Sequence, residues 1–222
     1  MKLHIFVLQM PENLQPTYLV GIAGGSASGK SSILRELLKD FSPDEISHIS
    51  QDNYYLDRIK QAVDENGEVN FDLPTAIDRQ ALVLDVEALI RGETVHRKEY
   101  TFNNPKVIPS YITVKPARIL IVEGLFVFYF SELAQQFDLR VYVDARDDVK
   151  LARRLKRDAL ERGYSESDVR YRWEHHVKPC YKSFLLPYRD HCDVVLTNNV
   201  NYLKGVEVLK NHLKAVLKNT DC

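Results

Sequence analysis

Cysteine is scarce in this chain of 222 residues, since only Cys180, Cys192 and Cys222 occur and no two of them form a CxxC pair. This argues against a secreted scaffold that is held together by disulfides. Few unpaired thiols are ordinary in a reducing compartment. We therefore expect the protein in the cytoplasm.

The chain also lacks a long apolar run and an excess of one charge. Its longest apolar stretch, at 119–130, is interrupted by Glu123 and Gly124 and is far shorter than the ~20 residues that cross a bilayer. The 30 basic and 31 acidic residues leave a net charge of −1. Because nucleic acids and anionic membranes attract basic surfaces, we expect neither as a partner. Assembly into a homo-oligomer stays open.

The apolar segments that are present alternate between two patterns. Short runs predict strands, at 18–23, 45–50, 117–122, 139–143 and 194–197. Helical spacing predicts helices between them, at 33–38, 79–91, 147–162 and 203–218. Buried strands that alternate with helices favour an α/β fold, a parallel sheet with helices on both faces. We predict one domain over 18–222, preceded by an N-terminal extension at 1–17.

Two segments interrupt this alternation. Residues 57–70 are polar and contain Gly67, which predicts a loop or a mobile flap. Residues 94–114 carry β-type residues around Asn-Asn-Pro at 103–105. This pattern predicts a small antiparallel hairpin inserted beside the main sheet.

A glycine-rich motif lies between the first predicted strand and the first predicted helix. It fits the GxxxxGK[ST] pattern and consists of Gly24, Gly25, Ser26, Ala27, Ser28, Gly29, Lys30 and Ser31, with Ser32 following. Glycines let backbone N–H groups turn toward an anion, and the start of a helix adds partial positive charge. Lys30 can then reach the β- and γ-phosphates, while Ser31 offers a hydroxyl to Mg²⁺. The fold is therefore predicted to be of the P-loop NTPase type, with ATP as a ligand.

Two carboxylates come at the ends of predicted strands. Glu123 follows the most apolar strand, where phosphate-loop enzymes hold their metal. Asp52 follows the strand at 45–50, where a carboxylate near the γ-phosphate can take the proton of an attacking hydroxyl. We predict Ser31, Glu123 and Asp52 as the Mg²⁺ ligands and Asp52 as a candidate general base. The alternative for Asp52 is a turn-forming or capping residue.

The predicted helix at 147–162 carries four cations at i, i+3, i+4 and i+7, namely Lys150, Arg153, Arg154 and Arg157. We expect the opposite face to pack through Ala152, Leu155 and Ala159. A solvated surface is the ordinary role of such a charged face. Together with Lys30, it instead predicts a helical lid over 146–180 that closes on the triphosphate and neutralises its charge.

Three other patterns carry less information. After the last strand the chain has Thr197-Asn198-Asn199 in place of a guanine-reading Asn-Lys-x-Asp, so a GTP-dependent switch is not predicted. Asp64-Glu65-Asn66-Gly67 matches a DxxG spacing, but no apolar strand precedes it, and we interpret the match as coincidence. His175 and His176 point to different sides of a helix, which does not favour a zinc site.

Taken together, the motifs resemble the uridine kinase (uridine/cytidine kinase) branch of the phosphoribulokinase-type P-loop kinases. The similarity runs from about residue 18 to residue 199. It rests on motifs at 21–31, 50–55, 70–78, 122–124, 143–144, 151–154, 157–158, 161–163 and 177–179. The resemblance implies phosphoryl transfer from ATP or GTP to the 5′-hydroxyl of a pyrimidine nucleoside, as in the salvage of uridine and cytidine to UMP and CMP.

The resemblance also implies roles for individual residues. Asp52 corresponds to the general base and Asp72 to the residue that binds the ribose hydroxyls. The aromatic residues implied to line the nucleoside site are Tyr55, Phe71, Tyr100 and Phe102. The implied cationic contacts are Lys30 and Arg153 in catalysis, Arg154 and Arg157 at the phosphates, and Lys150, Arg153 and Arg172 at the substrate. The alternative for Tyr100 and Phe102 is packing within the hairpin.

The chain departs from the family at three positions that read the base. Pro105 stands where the family has a histidine, Tyr164 where it has an arginine, and Arg172 where it has a glutamine. A site that hydrogen-bonds its substrate discriminates through such groups, so the acceptor can differ from uridine. Two alternatives therefore stay open. One is a phosphoribulokinase-like kinase of a sugar phosphate or another polyol, and the other is an inactive nucleotide-binding regulator.

Overall fold

The structure is a computed structural model that describes residues 17–102 and 107–219, apart from the side chain of Glu161. The predicted extension at 1–17 lies outside this range except for its last residue, and so does Pro105. The strands are β1 (Tyr18–Gly24), β2 (Ile46–Ser50), β3 (Ala62–Val63), β4 (Val69–Asn70), β5 (Val95–Lys98), β6 (Tyr111–Val114), β7 (Ile119–Gly124), β8 (Leu139–Asp144) and β9 (Val194–Thr197). The α-helices are α1 (Lys30–Leu38), α2 (Arg79–Ile90), α3 (Ser131–Ala134), α4 (Asp147–Arg157), α5 (Glu166–Arg172), α6 (Lys178–Cys180), α7 (Leu186–Arg189) and α8 (Leu203–Asn219).

The central sheet has five parallel strands in the order β2, β7, β1, β8 and β9, which confirms the predicted parallel sheet. The register pairs Ser50 with Glu123 and Ala23 with Gly124. The carboxyl ends of β2, β7 and β1 therefore meet at one edge of the sheet. In open α/β sheets this edge carries the ligand site.

Strand β7 divides its side chains between two cores. Ile119 and Ile121 pack in a cluster with residues of α1 and α8, whereas Leu120 and Val122 pack in a cluster with residues of α2 and α3. All four side chains are fully buried. Burying each one stabilises the fold by about 1.5–3 kcal/mol. Helices thus cover both faces of the sheet, as predicted.

Helix α4 buries the face opposite to the one that was predicted to pack. Lys150 and Arg154 on the cationic face are buried, whereas Ala152 and Ala159 on the opposite face are exposed and Leu155 is only half-buried. The expected packing through these three apolar residues is therefore wrong.

The reason for this orientation is that the buried cations have partners. Arg154 lies 3.2 Å from the Asp158 carboxylate and 3.7 Å from that of Asp72. Lys150 Nζ lies 2.8 Å from Asp147 and 3.9 Å from the centre of the Tyr181 ring. Paired charges and an aromatic face offset the desolvation of a buried cation.

The helix that begins with α4 ends where the sequence predicts. A π-helical turn (Asp158–Arg162) continues it to Gly163, whose φ of 70° gives the left-handed ending typical of glycine. Helix α5 then starts at a capping box between Ser165 and Asp168. Further π-helical turns at Trp173–Val177 and Tyr181–Leu185 join α5, α6 and α7. The helical segment therefore reaches Arg189, beyond the predicted limit at 180.

The two segments outside the main alternation both contain hairpins. Within 57–70, β3 pairs antiparallel with β4, so this segment is more ordered than the predicted loop. The predicted insertion at 94–114 contains β5 paired antiparallel with β6. Its tip at 103–106 lies outside the described residues. No helix in the described part of the chain is long and apolar enough to cross a membrane.

Candidate active site

The phosphate-binding loop curls tightly between β1 and α1. Ala27 and Gly29 have φ values of 61° and 103°, so both take left-handed backbone conformations that turn the chain back on itself. A Cβ at Gly29 would collide with the side-chain amide of Asn198. Lys30 Nζ donates hydrogen bonds to the Gly24 carbonyl at 2.9 Å and the Gly25 carbonyl at 3.4 Å. The ammonium group therefore lies against the loop that is predicted to bind phosphate.

Asn198 connects this loop to the last strand and to α4. Its Nδ2 donates to the Ser28 carbonyl at 2.8 Å, and its Oδ1 accepts from Arg153 at 3.3 Å. Arg153 also donates to the Ser28 carbonyl at 3.4 Å. This role of Asn198 was not predicted, since its position was interpreted only with respect to guanine recognition. The available signal was its position directly after the strand at 194–197.

Glu123 and Asp52 lie at neighbouring strand ends beside Lys30. Burial, followed by the charge of Asp52, raises the pKa of Glu123, while Lys30 and a hydrogen bond from Ser50 act against this shift. Burial lowers the pKa of Lys30, while the charges of Glu123 and Asp52 oppose that shift. These mutual effects indicate that the two carboxylates and the ammonium group lie close enough to interact electrostatically.

The same space has a donor set that suits Mg²⁺. Ser31, Asp52 and Glu123 line one cavity and offer a hydroxyl and two carboxylates. Mg²⁺ prefers such oxygen ligands and commonly uses one or two carboxylates together with substrate phosphates. The residues present therefore fit the predicted ion.

An aromatic cluster lines the cavity beside the two aspartates. The ring centres of Tyr55 and Tyr100 are 5.0 Å apart, with an angle of 32° between the rings. Phe102 contacts Tyr100 edge-on at 5.1 Å, and Phe71 contacts Tyr55 edge-on at 6.2 Å. Burial, followed by the charges of Asp52 and Asp72, raises the pKa of Tyr55 well above its ordinary value. Tyr100 and Phe102 therefore contribute to the cavity and do not pack only within their hairpin.

Arginines surround this cluster, and most are paired with acids. The Asp158 carboxylate lies 2.8 Å from Arg157, 3.2 Å from Arg154 and 3.5 Å from Arg162. The Arg162 guanidinium also lies over the Phe102 ring at 4.3 Å. A single buried carboxylate thus holds three guanidinium groups at one wall of the cavity.

Arg172 contacts the β3–β4 hairpin and the ring of Tyr164. It donates to the Glu68 carboxylate at 2.7 Å and to the Val69 carbonyl at 3.3 Å. Its guanidinium lies 5.0 Å from the centre of the Tyr164 ring. Two of the positions at which the chain differs from the family that its motifs resemble therefore contact each other.

The structure brings most of the predicted site residues around one cavity of about 620 Å³. The predicted residues that line it are Ser26, Ala27, Gly29, Lys30, Ser31, Ser32, Asp52, Tyr55, Phe71, Asp72, Tyr100, Phe102, Glu123, Arg153, Arg154, Arg157 and Arg172. Tyr164, one of the base-reading positions that differ from the resembled family, also lines the cavity. The lining residues that were not predicted are Arg35, Leu125 and Arg162. Arg162 is missed because it lies one turn beyond the predicted cationic face.

Four predicted residues do not line this cavity, namely Gly24, Gly25, Ser28 and Lys150. Ser28 is fully buried beneath the loop. Lys150 is directed instead toward Asp147 and Tyr181 on the far side of the loop, because α4 buries it there. The structure therefore does not bring Lys150 to the predicted substrate site.

A parallel sheet with a phosphate-binding loop, paired strand-end carboxylates and an arginine-rich helix defines a P-loop kinase. The sequence profile described as "Phosphoribulokinase / Uridine kinase family" matches residues 19–202, and the chain belongs to this family. A uridine kinase of Chloroflexus aurantiacus is 31% identical over 202 residues, which are 91% of this chain and 97% of the relative. A uridine kinase of Lactococcus lactis subsp. cremoris is 31% identical over 206 residues, which are 93% of this chain and all of the relative.

Solved structures show the same fold at lower sequence similarity. A phosphoribulokinase from Rhodobacter spheroides gives a TM-score of 0.57 at 16% identity, covering 84% of this chain and 73% of the other. A D-glycerate 3-kinase from Cryptococcus neoformans gives 0.56 at 16% identity, covering 80% and 82%. The resemblance inferred from the sequence motifs is thus confirmed, and membership of the family makes the chain an ATP-dependent kinase of a small molecule.

Proposed function

We propose that the chain transfers the γ-phosphoryl group of ATP to the 5′-hydroxyl of uridine or cytidine, giving UMP or CMP. The observation that carries this proposal is that one cavity contains the phosphate-binding loop together with Tyr55, Tyr100, Asp52 and Asp72. An aromatic face holds a planar base, and a carboxylate can accept hydrogen bonds from two ribose hydroxyls. These are the groups that a nucleoside kinase needs beside its ATP site.

The residues suit the chemistry of phosphoryl transfer. Asp52 accepts the proton of the 5′-hydroxyl while the oxygen attacks the γ-phosphorus and the bond to ADP breaks. Lys30 and Arg153 stabilise the charge on the phosphoryl oxygens. Ser31, Asp52 and Glu123 would hold Mg²⁺, which would further neutralise the charge of the phosphates.

The distribution of charge favours an uncharged acceptor. The guanidinium groups of Arg157 and Arg162 lie against Asp158, and that of Arg172 lies against Glu68. A phosphorylated acceptor would have to compete with these carboxylates for its cations. Arg153, in contrast, contacts the loop carbonyl of Ser28, beside the predicted donor phosphates.

The two relatives from Chloroflexus aurantiacus and Lactococcus lactis support a uridine acceptor, since both are uridine kinases that this chain matches over nearly their whole length. Because Pro105, Tyr164 and Arg172 replace groups that read the base, the acceptor panel below also measures the preference between uridine and cytidine. A sugar phosphate remains the second candidate, because Arg172 lines the acceptor side of the cavity.

The test is an acceptor panel with the purified chain and Mg²⁺, with ATP or GTP as donor. We expect UMP or CMP, identified by chromatography, from uridine or cytidine, and little product from purine nucleosides. Absence of product from every nucleoside would contradict the proposal. Faster turnover of ribulose 5-phosphate than of uridine would favour the sugar phosphate kinase.

A further inference from the structure

Two patterns without an assigned function, the DxxG match and the histidine pair, meet in the structure. Asp64 lies at the turn between β3 and β4, and His176 lies in the π-helical turn after α5. His176 Nε2 donates to Asp64 Oδ2 at 2.7 Å, and the Tyr171 hydroxyl donates to the same oxygen at 2.8 Å. His176 is buried, whereas its neighbour His175 is exposed. We call Asp64, Tyr171 and His176 the clasp.

The other carboxylate oxygen of Asp64 organises the turn itself. Oδ1 accepts hydrogen bonds from the backbone N–H groups of Asn66 at 2.9 Å and Glu68 at 2.8 Å. One side chain therefore shapes the hairpin with one oxygen and attaches it to the helical segment with the other. Two further attachments are the hydrogen bond from Asn66 Nδ2 to the Tyr171 hydroxyl at 2.7 Å and the contact of Arg172 with Glu68.

The hairpin leads directly to the acceptor side of the cavity. Strand β4 ends at Asn70, whose Oδ1 accepts from the backbone N–H of Asp72 at 2.9 Å. At the opposite end of the segment, Gln61 donates to the Leu56 carbonyl at 2.7 Å and the Ala76 carbonyl at 3.2 Å. Phe71 and Asp72 thus lie in a segment that is held at two places. One is the set of hydrogen bonds from Gln61, and the other is the hairpin turn that Asp64 attaches to the helical segment.

We propose that the clasp positions Phe71 and Asp72 for the acceptor by attaching the β3–β4 hairpin to the helical segment after α5. This inference rests on the proposed role of Asp72 at the acceptor. The two strands contain only two residues each, so their own ladder provides little rigidity. Without the clasp, the hairpin can move away from the helix and take Asp72 away from Arg154.

A displaced Asp72 would bind the acceptor less tightly in the ground state and in the transition state alike, and such a loss appears as a higher KM. No residue of the clasp hydrogen-bonds the phosphate-binding loop, which is held by Asn198, Arg153 and Arg154. Loss of the clasp should therefore raise KM for the acceptor and leave KM for ATP unchanged. A general loss of stability would affect both substrates.

The decisive variant is Asp64→Asn, because its remaining carbonyl oxygen can still accept from the backbone while the amide cannot accept from Tyr171 or His176. We expect KM for the acceptor to rise about tenfold, with KM for ATP within twofold of the wild type. Tyr171→Phe should give a smaller change in the same direction. Glu65→Gln, an exposed residue of the same turn, is the matched control and should change neither value.

A double variant of Asp64 and His176 distinguishes a shared positioning role from two independent effects on the fold. The double variant Asp64→Asn with His176→Phe should raise the acceptor KM no further than the more affected single variant, since both single variants disrupt the hydrogen bond between Asp64 and His176. An unchanged acceptor KM in Asp64→Asn, or an equal rise in KM for ATP, would overturn the proposal.

Hydrogen exchange tests the clasp independently of the acceptor. In Asp64→Asn, the backbone amides of residues 69–72 should exchange at least tenfold faster, while those of α1 keep the wild-type rate. Unchanged exchange at 69–72 would overturn the proposal even if every nucleoside is a substrate. If the wild type phosphorylates no nucleoside, the proposed function fails, and the exchange rates still decide whether the clasp holds the hairpin.

Discussion

The Ser50 hydroxyl donates a 2.5 Å hydrogen bond to Oε1 of Glu123, although the two residues are 73 positions apart in the chain. They are register partners at the ends of adjacent parallel strands. The bond orients a buried carboxylate toward the cavity that also contains Ser31 and Asp52. A ligand oriented in this way binds a metal better than a freely rotating one.

Glu123→Gln should therefore weaken the response to Mg²⁺. Replacing a carboxylate by an amide removes a charged oxygen ligand, so we expect the Mg²⁺ concentration for half-maximal activity to rise by about 10-fold or more. In Ser50→Ala the same concentration should rise by less, because the ligand remains and only its orientation is lost. Activity titrated with Mg²⁺ at fixed ATP measures both effects. Equal Mg²⁺ requirements in Glu123→Gln and the wild type would remove Glu123 from the metal site.

Asp52→Asn separates a working kinase from a nucleotide-binding regulator. If Asp52 is the general base, kcat should fall by about 10²- to 10⁴-fold while ATP binding stays within a few-fold of the wild type. Lys30→Ala should reduce both kcat and ATP affinity, because the Lys30 ammonium group contacts the phosphate-binding loop. Calorimetric ATP binding and steady-state rates provide the two measurements. A regulator would instead bind ATP and leave uridine and cytidine unchanged in the wild type.

Gly29→Ala should damage the phosphate-binding loop for two reasons. The φ of 103° is unfavourable for alanine by ~1 kcal/mol or more, and the added Cβ would displace the Asn198 amide that holds the Ser28 carbonyl. We expect lower thermal stability and ATP affinity reduced at least tenfold. Gly67→Ala is a matched control, since Gly67 has a φ of 81° but no atom within 4 Å of the added Cβ. It should lose stability and keep the wild-type ATP affinity, and equal ATP affinities in the two variants would contradict the argument.

The features that could be predicted from sequence are those that depend on neighbouring residues. The glycine loop before Lys30 and the apolar strand that leads to Glu123 are local patterns, and both lie where they were expected. The orientation of α4 could not be predicted, because it depends on pairing between Arg154 and Asp72, which are distant in sequence. The contact between Asp64 and His176 spans 112 positions and leaves no local pattern.

Asp72→Asn should selectively impair recognition of the ribose. The Asp72 carboxylate lines the cavity beside the proposed acceptor and lies 3.7 Å from Arg154. An amide offers one acceptor oxygen where the carboxylate offers two, and a hydrogen bond to a charged group contributes about 1.5–3 kcal/mol. We expect KM for uridine or cytidine to rise about 10- to 100-fold, with little change in KM for ATP.

The comparison with 2′-deoxynucleosides makes this prediction specific. The wild type should prefer the ribonucleoside, because the deoxy form leaves part of the Asp72 carboxylate without a partner. In Asp72→Asn this preference, measured as the ratio of kcat/KM values, should largely disappear. Asp57→Asn, an exposed carboxylate of the same segment, should keep the wild-type ratio. A preference for ribose that persists in Asp72→Asn would assign the ribose hydroxyls to another residue and leave Asp72 as a partner of Arg154 alone.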